Sequence, residues 1–229
     1  MIKAFIFDFD GTLVNTEPIF TQAWDIIATK YNRTYDQTLK TSIMGYRALQ
    51  AVEYVLEAWG IDIAAEEVLS EIDPVLLELY EKNVEPMPGW EALLNLLEHH
   101  SIAKAIATAS QKHWVDTIFT KLNWQGRFSH VITAADVKHS KPHPEPFLLA
   151  AQRLKVDPKS CVALEDSSHG LESARQAGML TIAVNNHYIG TPTLQKADIV
   201  IQSLSEIDNN LLQKMHALIE SRQNHNKHA

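Results

Sequence analysis

Residues 4–12 of the chain read AFIFDFDGT, and this stretch decides the fold. The apolar run 4–7 is short and aromatic, and it ends at Asp8 with Gly11 close behind, which is typical of a buried strand that leads into a turn. Similar short runs recur along the chain, at residues 102–108, 131–133, 161–164, 181–184 and 199–201.

Amphipathic helical patterns lie between several of these runs, for example at residues 90–97 and 147–154. Strands that alternate with helices predict a mostly parallel sheet with both faces covered. The sequence therefore predicts an α/β fold with a Rossmann-like sheet.

Residues 15–84 differ from the rest of the chain. They contain helical patterns at 19–31, 48–59 and 68–80 and no apolar run typical of a buried strand. The segment Glu85-Pro86-Met87-Pro88-Gly89 is typical of a linker. We therefore predict a core domain over 1–14 and 85–229, interrupted after its first strand by a helical domain over 15–84. The polar end, 221–229, is predicted to be frayed.

The composition is that of a soluble globular protein, with 229 residues, 45% hydrophobic and 21% charged. A formal net charge of −8 disfavours binding to nucleic acid or to an anionic membrane. No apolar run approaches the roughly 18 residues of a membrane span, and the start of the chain does not resemble a secretory signal. The single cysteine, Cys161, excludes an internal disulfide. We expect a cytoplasmic protein, and a monomer.

Asp8 and Asp10 are two carboxylates separated by one residue at the end of the first strand. Like charges this close raise each other's pKa unless a cation compensates them. Mg²⁺ prefers oxygen ligands, and ligands of open α/β sheets bind beyond the carboxyl ends of the strands. The pair therefore indicates a Mg²⁺ site, although an acidic turn has the same local pattern.

Three further polar groups follow the predicted strands or lie in the loops between them. They are Thr108 with Ser110, Lys141, and Glu165-Asp166-Ser167. In a parallel sheet such groups share one edge, so we expect them to converge on the acidic pair. Together they offer a nucleophile, a hydroxyl that binds anions, a cation and a second acidic metal site. Phosphoryl transfer needs these parts, because its catalysis is mostly positioning and charge neutralisation.

In their order and spacing these groups resemble the four motifs of the haloacid dehalogenase-like hydrolases, with residues 15–84 in the position of that superfamily's helical cap. The resemblance implies that Asp8 becomes phosphorylated and that Asp10 is the general acid and then the base. It implies that Asp8, the backbone carbonyl of Asp10, and Asp166 hold Mg²⁺. Dehalogenating members lack an acid at the place of Asp10, so its presence here implies phosphoryl transfer.

The same resemblance assigns the remaining polar residues. Thr108 would donate its hydroxyl to the phosphoryl oxygens, Ser110 would join it in binding substrate, and Lys141 would neutralise negative charge. Glu165 and Ser167 would support the metal or orient its ligands.

The cap would close over the phosphate and select the leaving group. At its start we expect Asn15 and Glu17 to face the substrate, although the same pattern is typical of plain helix initiation. Arg47, after a glycine between helices, would bind substrate hydroxyls or a second phosphate, or it is an ordinary surface arginine. The three cap lysines, Lys30, Lys40 and Lys82, are interpreted as solvated surface residues rather than as Schiff-base lysines.

The likeness extends to the substrate class. The cap loop at 44–47 and the segment 140–166 resemble sugar-phosphate members, including phosphatases of hexitol phosphates and of 2-deoxyglucose 6-phosphate. We therefore expect a small phosphorylated metabolite, a hexose or hexitol phosphate. The β-phosphoglucomutases are a second relative, but they usually carry a histidine where this chain has Phe20. A binding protein without catalytic activity is the third alternative, which the four intact motifs disfavour.

Overall fold

A six-stranded parallel sheet forms the centre of the structure. The computed structural model describes residues 1–185 and 196–225. The strands in this part of the chain are β1 (Ala4–Phe7), β2 (Ala103–Ala107), β3 (His130–Ile132), β4 (Cys161–Glu165), β5 (Leu180–Val184) and β6 (Ile199–Ile201). They lie in the spatial order β3-β2-β1-β4-β5-β6, and every adjacent pair is parallel. The predicted α/β fold is confirmed, with strand ends that differ from the predicted ones by about one residue.

Helices cover both faces of this sheet. Among the described residues they are α1 (Glu17–Lys30), α2 (Gln37–Ile43), α3 (Ala48–Trp59), α4 (Ala65–Asn83), α5 (Trp90–His99), α6 (Lys112–Leu122), α7 (Glu145–Leu154), α8 (Ser168–Gln176) and α9 (Asn209–His225). The alternation of side chains along β1 divides the core. Phe5 and Phe7 pack on one face, and Ala4 and Ile6 pack on the other face with Phe147 of α7.

The register of the central strands brings their carboxyl ends together. Phe7, the last residue of β1, pairs with Ile106 of β2 and with Leu164 of β4. The backbone NH of Asp8 still donates to the carbonyl of Leu164, at 2.9 Å. The polar residues that follow these three strands therefore start from one level at one edge of the sheet.

The four helices α1 to α4 occupy residues 17–83, the region predicted to be helical. The sequence pattern locates α1, α3 and α4, whereas α2 was not predicted, because its 7 residues are only half-buried or exposed and show no apolar stripe. Asp73 of α4 links these helices to the sheet: one carboxylate oxygen lies 2.6 Å from the ring nitrogens of both His113 and Trp114 on α6.

The last described helix extends further along the chain than the sequence predicts. Helix α9 continues through 221–225, so the prediction of a frayed end is wrong there, and residues 226–229 lie outside the described residues. Ile219 and Met215 on this helix are buried and anchor it to the core. Within the described residues, no helix combines the length and the apolar character needed to cross a membrane.

Gly89 joins the helical region to the sheet, and we predict that it is needed for stability. Its φ is +87°, and a Cβ there would lie 2.4 Å from the backbone nitrogen of Ser205. Gly126 has a similar φ of +78°, but a Cβ there would meet nothing within 4 Å, so it is the matched control. Gly126→Ala should cost about 1–2 kcal/mol of unfolding free energy from the left-handed backbone. Gly89→Ala should cost about 1–3 kcal/mol more, from overpacking.

Urea denaturation of both variants measures the difference. Equal losses in the two variants would show that the contact with Ser205 does not constrain the chain.

Candidate active site

The residues singled out in the sequence meet at the carboxyl edge of the sheet. Asp8 follows β1, Thr108 follows β2, and Asp166 follows β4. A cavity of about 140 Å³ opens at this edge. Its floor is formed by the polar residues that follow the strands and the loop before α7: Asp8, Asp10, Thr108, Ser110, Lys141, Asp166 and Ser167.

Lys141 lies between two buried carboxylates. Its ammonium group pairs with Oδ1 of Asp8 and, at 2.5 Å, with Oε1 of Glu165. The Lys141 side chain is only 2% exposed, and Glu165 is fully buried. The Nζ atom of Lys141 also lies 5.1 Å from the centre of the Phe147 ring, so the ammonium group has little access to water.

Burial and charge both act on this group of residues. Burial raises the pKa of Asp8 to about 8, against the opposing effect of Lys141, and the neighbouring Glu165 and Asp10 add to the rise. Burial alone would lower the pKa of Lys141, but the carboxylates of Asp8 and Glu165 bring it above its ordinary value. Lys141 is therefore a permanent cation, and a further cation at this place would favour the ionised form of Asp8.

Hydroxyl groups fix the position of Asp10. The Ser110 hydroxyl donates to its Oδ2 at 2.6 Å, and the Thr108 hydroxyl donates to the same oxygen at 3.2 Å. Burial raises the pKa of Asp10, while the hydroxyls of Ser110, Thr16 and Thr108 lower it. The resulting acid lies beside Asp8 with its position fixed from the end of β2.

The acidic cluster suits a divalent cation. Asp8, Glu165 and Asp166 are all buried, and each offers a carboxylate oxygen within 4.8 Å of the others. When all three are ionised, their three negative charges face the single ammonium of Lys141, and a divalent cation would balance the remaining two. Oxygen donors of this kind are the ligands that Mg²⁺ prefers. Asp8 and Asp166 fit the role of ligands better than Glu165, because both oxygens of Glu165 already accept hydrogen bonds.

Glu165 is fixed in place by the start of α8. Its Oε2 accepts from the backbone NH and the hydroxyl of Ser167, at 2.8 and 2.9 Å. The Ser167 hydroxyl in turn accepts from the NH of Gly170 at 3.0 Å and so caps the helix. A Cβ on Gly170 would lie 1.6 Å from Oε1 of Glu165. The carboxylate that orients Lys141 therefore occupies the space left by this glycine.

The roof of the cavity comes from helices α1 to α4. Glu17 lines it and pairs with Lys40 at 3.0 Å. The interpretation of Lys40 as a solvated residue is wrong, because its side chain is 12% exposed and lines the cavity. Lys30 and Lys82, by contrast, have side chains more than half exposed.

The loop between α2 and α3 reaches the catalytic edge. Met44, Gly45 and Tyr46 line the cavity, and a Cβ on Gly45 would lie 3.2 Å from the hydroxyl of Ser167. Arg47 points elsewhere: it donates to the carbonyl of Val137 at 2.7 Å and does not line this cavity.

Asn15 also stays outside the cavity lining in the described part of the chain. Its backbone NH donates to the carbonyl of Glu85, which joins the two connections between the helices and the sheet.

Two residues of the site have no role in the sequence-based assignment. Thr12 belongs to the acidic motif, and its hydroxyl donates to Oδ1 of Asp166 at 3.2 Å, which links the motif to the end of β4. Gly170 gives only a weak signal in the sequence, a glycine in the first turn of a helix where alanine is favoured.

A family model described as haloacid dehalogenase-like hydrolase matches residues 5–184 of this chain. The fructose-1-phosphate phosphatase YqaB of Escherichia coli is 31% identical over 179 residues, which cover 78% of this chain and 94% of that protein. Hexitol phosphatase B of the same organism is 29% identical over 210 residues, covering 90% and 94%.

Among solved structures, the β-phosphoglucomutase of Clostridium difficile superposes with a TM-score of 0.84 at 26% identity. The superposition covers 95% of this chain and 98% of that one. The sequence resemblance to sugar phosphatases and to β-phosphoglucomutase is thus confirmed.

We predict that Gly170→Ala lowers phosphatase activity at least about 10-fold. Alanine at this helical position should favour the helix by roughly 0.5–1 kcal/mol. The Cβ of the alanine, however, would overlap with Oε1 of Glu165. It would therefore displace the Glu165 carboxylate and with it the ammonium of Lys141. Steady-state kinetics and urea denaturation of the variant separate the two effects. An equally active variant would contradict the assigned role of Glu165.

Proposed function

The chain belongs to the haloacid dehalogenase-like hydrolase family, and we propose that it is a Mg²⁺-dependent phosphatase that forms a phosphoaspartate at Asp8. Its substrates are small phosphorylated metabolites. The proposal rests mainly on the buried group of Asp8, Lys141 and Asp166, since this arrangement combines a carboxylate nucleophile, a fixed cation and donors for a metal.

In the proposed reaction an oxygen of Asp8 attacks phosphorus, and the bond from phosphorus to the substrate's alcohol oxygen breaks. Asp10 in its acid form donates a proton to that leaving oxygen. As a carboxylate it then takes a proton from the water that hydrolyses the phosphoaspartate. Burial raises the pKa of Asp10, which favours the acid form that the first step needs.

Charge on the phosphoryl oxygens is balanced by neighbouring groups. Lys141 lies against Asp8, where it neutralises negative charge on the Asp8 carboxylate and on the phosphoryl group that Asp8 accepts. Mg²⁺ bound by Asp8, Asp166 and the carbonyl of Asp10 would supply further positive charge at the same place. Glu165, with Ser167, orients Lys141.

Thr108 and Ser110 divide their work. The Thr108 hydroxyl has one proton, so it must release Asp10 to donate to a phosphoryl oxygen. Its bond to Asp10 is the longer one, at 3.2 Å, and the 2.6 Å bond from Ser110 keeps Asp10 in place meanwhile. We therefore propose that Thr108 donates its hydroxyl to the phosphoryl group. Ser110 orients Asp10 and also contacts the substrate.

Sugar and polyol phosphates are the substrate class that the relatives support. Two of them are a fructose-1-phosphate phosphatase and a hexitol phosphatase. Glu17 and Lys40 are charged residues in the cap lining that offer hydrogen bonds to hydroxyls. We also propose a cytoplasmic monomer that binds neither nucleic acid nor membranes, in keeping with the net charge of −8.

A phosphosugar mutase is the second candidate, because the chain superposes on a β-phosphoglucomutase. Phe20 argues against it. The Phe20 ring lines the cavity and packs 6.2 Å from the rings of Tyr80 and Trp114, where it has no proton to exchange with a bound sugar.

We predict that Asp8→Asn abolishes phosphate release, because an amide is a poor nucleophile, and that chelation of Mg²⁺ abolishes release by the wild type. Burial raises the pKa of Asp8 from 3.8 to about 8. As the pH rises above 3.8, the ionisation of Asp8 therefore lowers the stability of the metal-free fold by an increasing amount. The uncharged asparagine removes this cost. At pH 7 in chelator, the unfolding midpoint of the variant should therefore equal or exceed that of the wild type.

The assay is phosphate release from hexose 6-phosphates, hexitol phosphates, phosphoglycolate, nucleotides and β-glucose 1-phosphate, with and without Mg²⁺. Asp62→Asn, at an exposed carboxylate, is the matched control and should behave as the wild type. Full activity of Asp8→Asn would overturn the mechanism. Conversion of β-glucose 1-phosphate to the 6-phosphate without release would favour the mutase. Binding without any turnover would favour the non-catalytic alternative.

A pH profile tests the role of Asp10. The Ser110 hydroxyl lowers the pKa of Asp10 by donating to its carboxylate, so Ser110→Ala should raise that pKa. The acid form then persists to higher pH, and the alkaline limb of the kcat/KM profile should shift to higher pH. A limb that stays in place or moves to lower pH would exclude Asp10 as the acid that titrates there.

A further inference from the structure

The cavity above the catalytic edge has two chemically different halves. The floor carries the charged and hydroxyl groups that follow the strands, and the roof is formed by the helices of residues 17–83. Most of the roof is hydrocarbon. Its apolar side chains come from α1, from α2 to α3 and from α4: Phe20, Trp24, Ile43, Met44, Ala48, Ala51, Val52, Leu69, Ile72 and Leu76.

The side chains of the roof that can form hydrogen bonds are Glu17, Lys40, the hydroxyls of Tyr35 and Tyr46, and the indole of Trp24. The two charged residues among them, Glu17 and Lys40, pair with each other, and Lys40 also donates to the Thr21 hydroxyl at 2.9 Å. The deeper wall at Val52, Ile72 and Leu76 has no hydrogen-bonding side chain.

This division has consequences for the leaving group. A hydroxyl pressed against the deeper wall loses its water without gaining a partner, which disfavours binding. A methylene or an aromatic carbon in the same place gains about fourfold in binding for each buried CH₂. The cavity of about 140 Å³ includes the floor as well as the roof, so beside a phosphoryl group it has room for a short apolar segment.

We infer that the preferred substrate is an amphipathic phosphomonoester. Its oxygen functions lie near the phosphate, within reach of Glu17 and Lys40, and an alkyl or aryl segment without hydroxyls extends toward Ile72 and Leu76. This inference rests on the proposed phosphatase function and narrows it. Among phosphorylated sugars and polyols, it favours those that are deoxygenated or carry an apolar substituent.

Two substrates with the same carbon skeleton test the inference. n-Hexyl phosphate and hexitol 6-phosphate both have six carbons in a chain and differ in their hydroxyls. The wild-type enzyme with Mg²⁺ should turn over hexyl phosphate with a kcat/KM at least about 10-fold higher, since several methylenes contact the apolar wall. An equal or reversed preference overturns the inference and leaves the phosphatase function standing. Absence of release from both, and from the wider panel, overturns the proposed function itself.

A variant that fills the roof locates the effect. Ala51 of α3 lines the cavity, and Ala51→Leu adds three carbons to it. The ratio of kcat/KM for hexyl phosphate to that for ethyl phosphate should fall about 10-fold. Ala58→Leu, at an exposed position of the same helix, should leave the ratio within twofold of the wild type. An unchanged ratio in folded Ala51→Leu would show that the hexyl group of the substrate binds elsewhere, which contradicts the inference. The comparison of wild-type substrates decides the inference even where Ala51→Leu fails to fold.

Discussion

The contact of the Lys141 ammonium with the carboxylates of Asp8 and Glu165 is the interaction on which the rest of the site depends. A buried charge left without any partner costs roughly 3–5 kcal/mol, so the ammonium of Lys141 and the carboxylate of Glu165 require each other. The requirement extends outward, because Glu165 needs Ser167 for its hydrogen bonds and Gly170 for its space. The position of Lys141 is thus set by residues at the start of α8.

The parallel sheet explains why a few residues are enough to form the site. Parallel strands in register end at one level, so single residues after β1, β2 and β4 meet without long loops. This part could be predicted from the sequence, because short apolar runs followed by polar residues define strand ends. Asp8, Thr108 and Asp166 line the predicted edge for that reason, and Asp10 and Lys141 join them from the segments that follow β1 and β3.

The roof of the cavity was harder to predict, because it depends on how helices pack against each other. Arg47 bonds to a backbone carbonyl of the core, whereas the sequence left open a substrate contact or a surface position. Lys40 turns inward to Glu17, although the sequence suggested a solvated side chain. The small helix α2, which carries Lys40, lacks the apolar stripe that would have identified it. Gly170 is a similar case, since only the path of the Glu165 side chain shows why alanine is excluded.

The formation of a phosphoaspartate at Asp8 is the central claim, and rapid acid quenching tests it most directly. Wild-type enzyme is mixed with ³²P-labelled substrate and Mg²⁺, quenched within the first turnover, and digested for mass spectrometry. The account predicts label bound covalently to the peptide that contains Asp8, in an amount that rises and decays in step with phosphate release. Turnover with no labelled peptide at any time, or label at another residue, would contradict it.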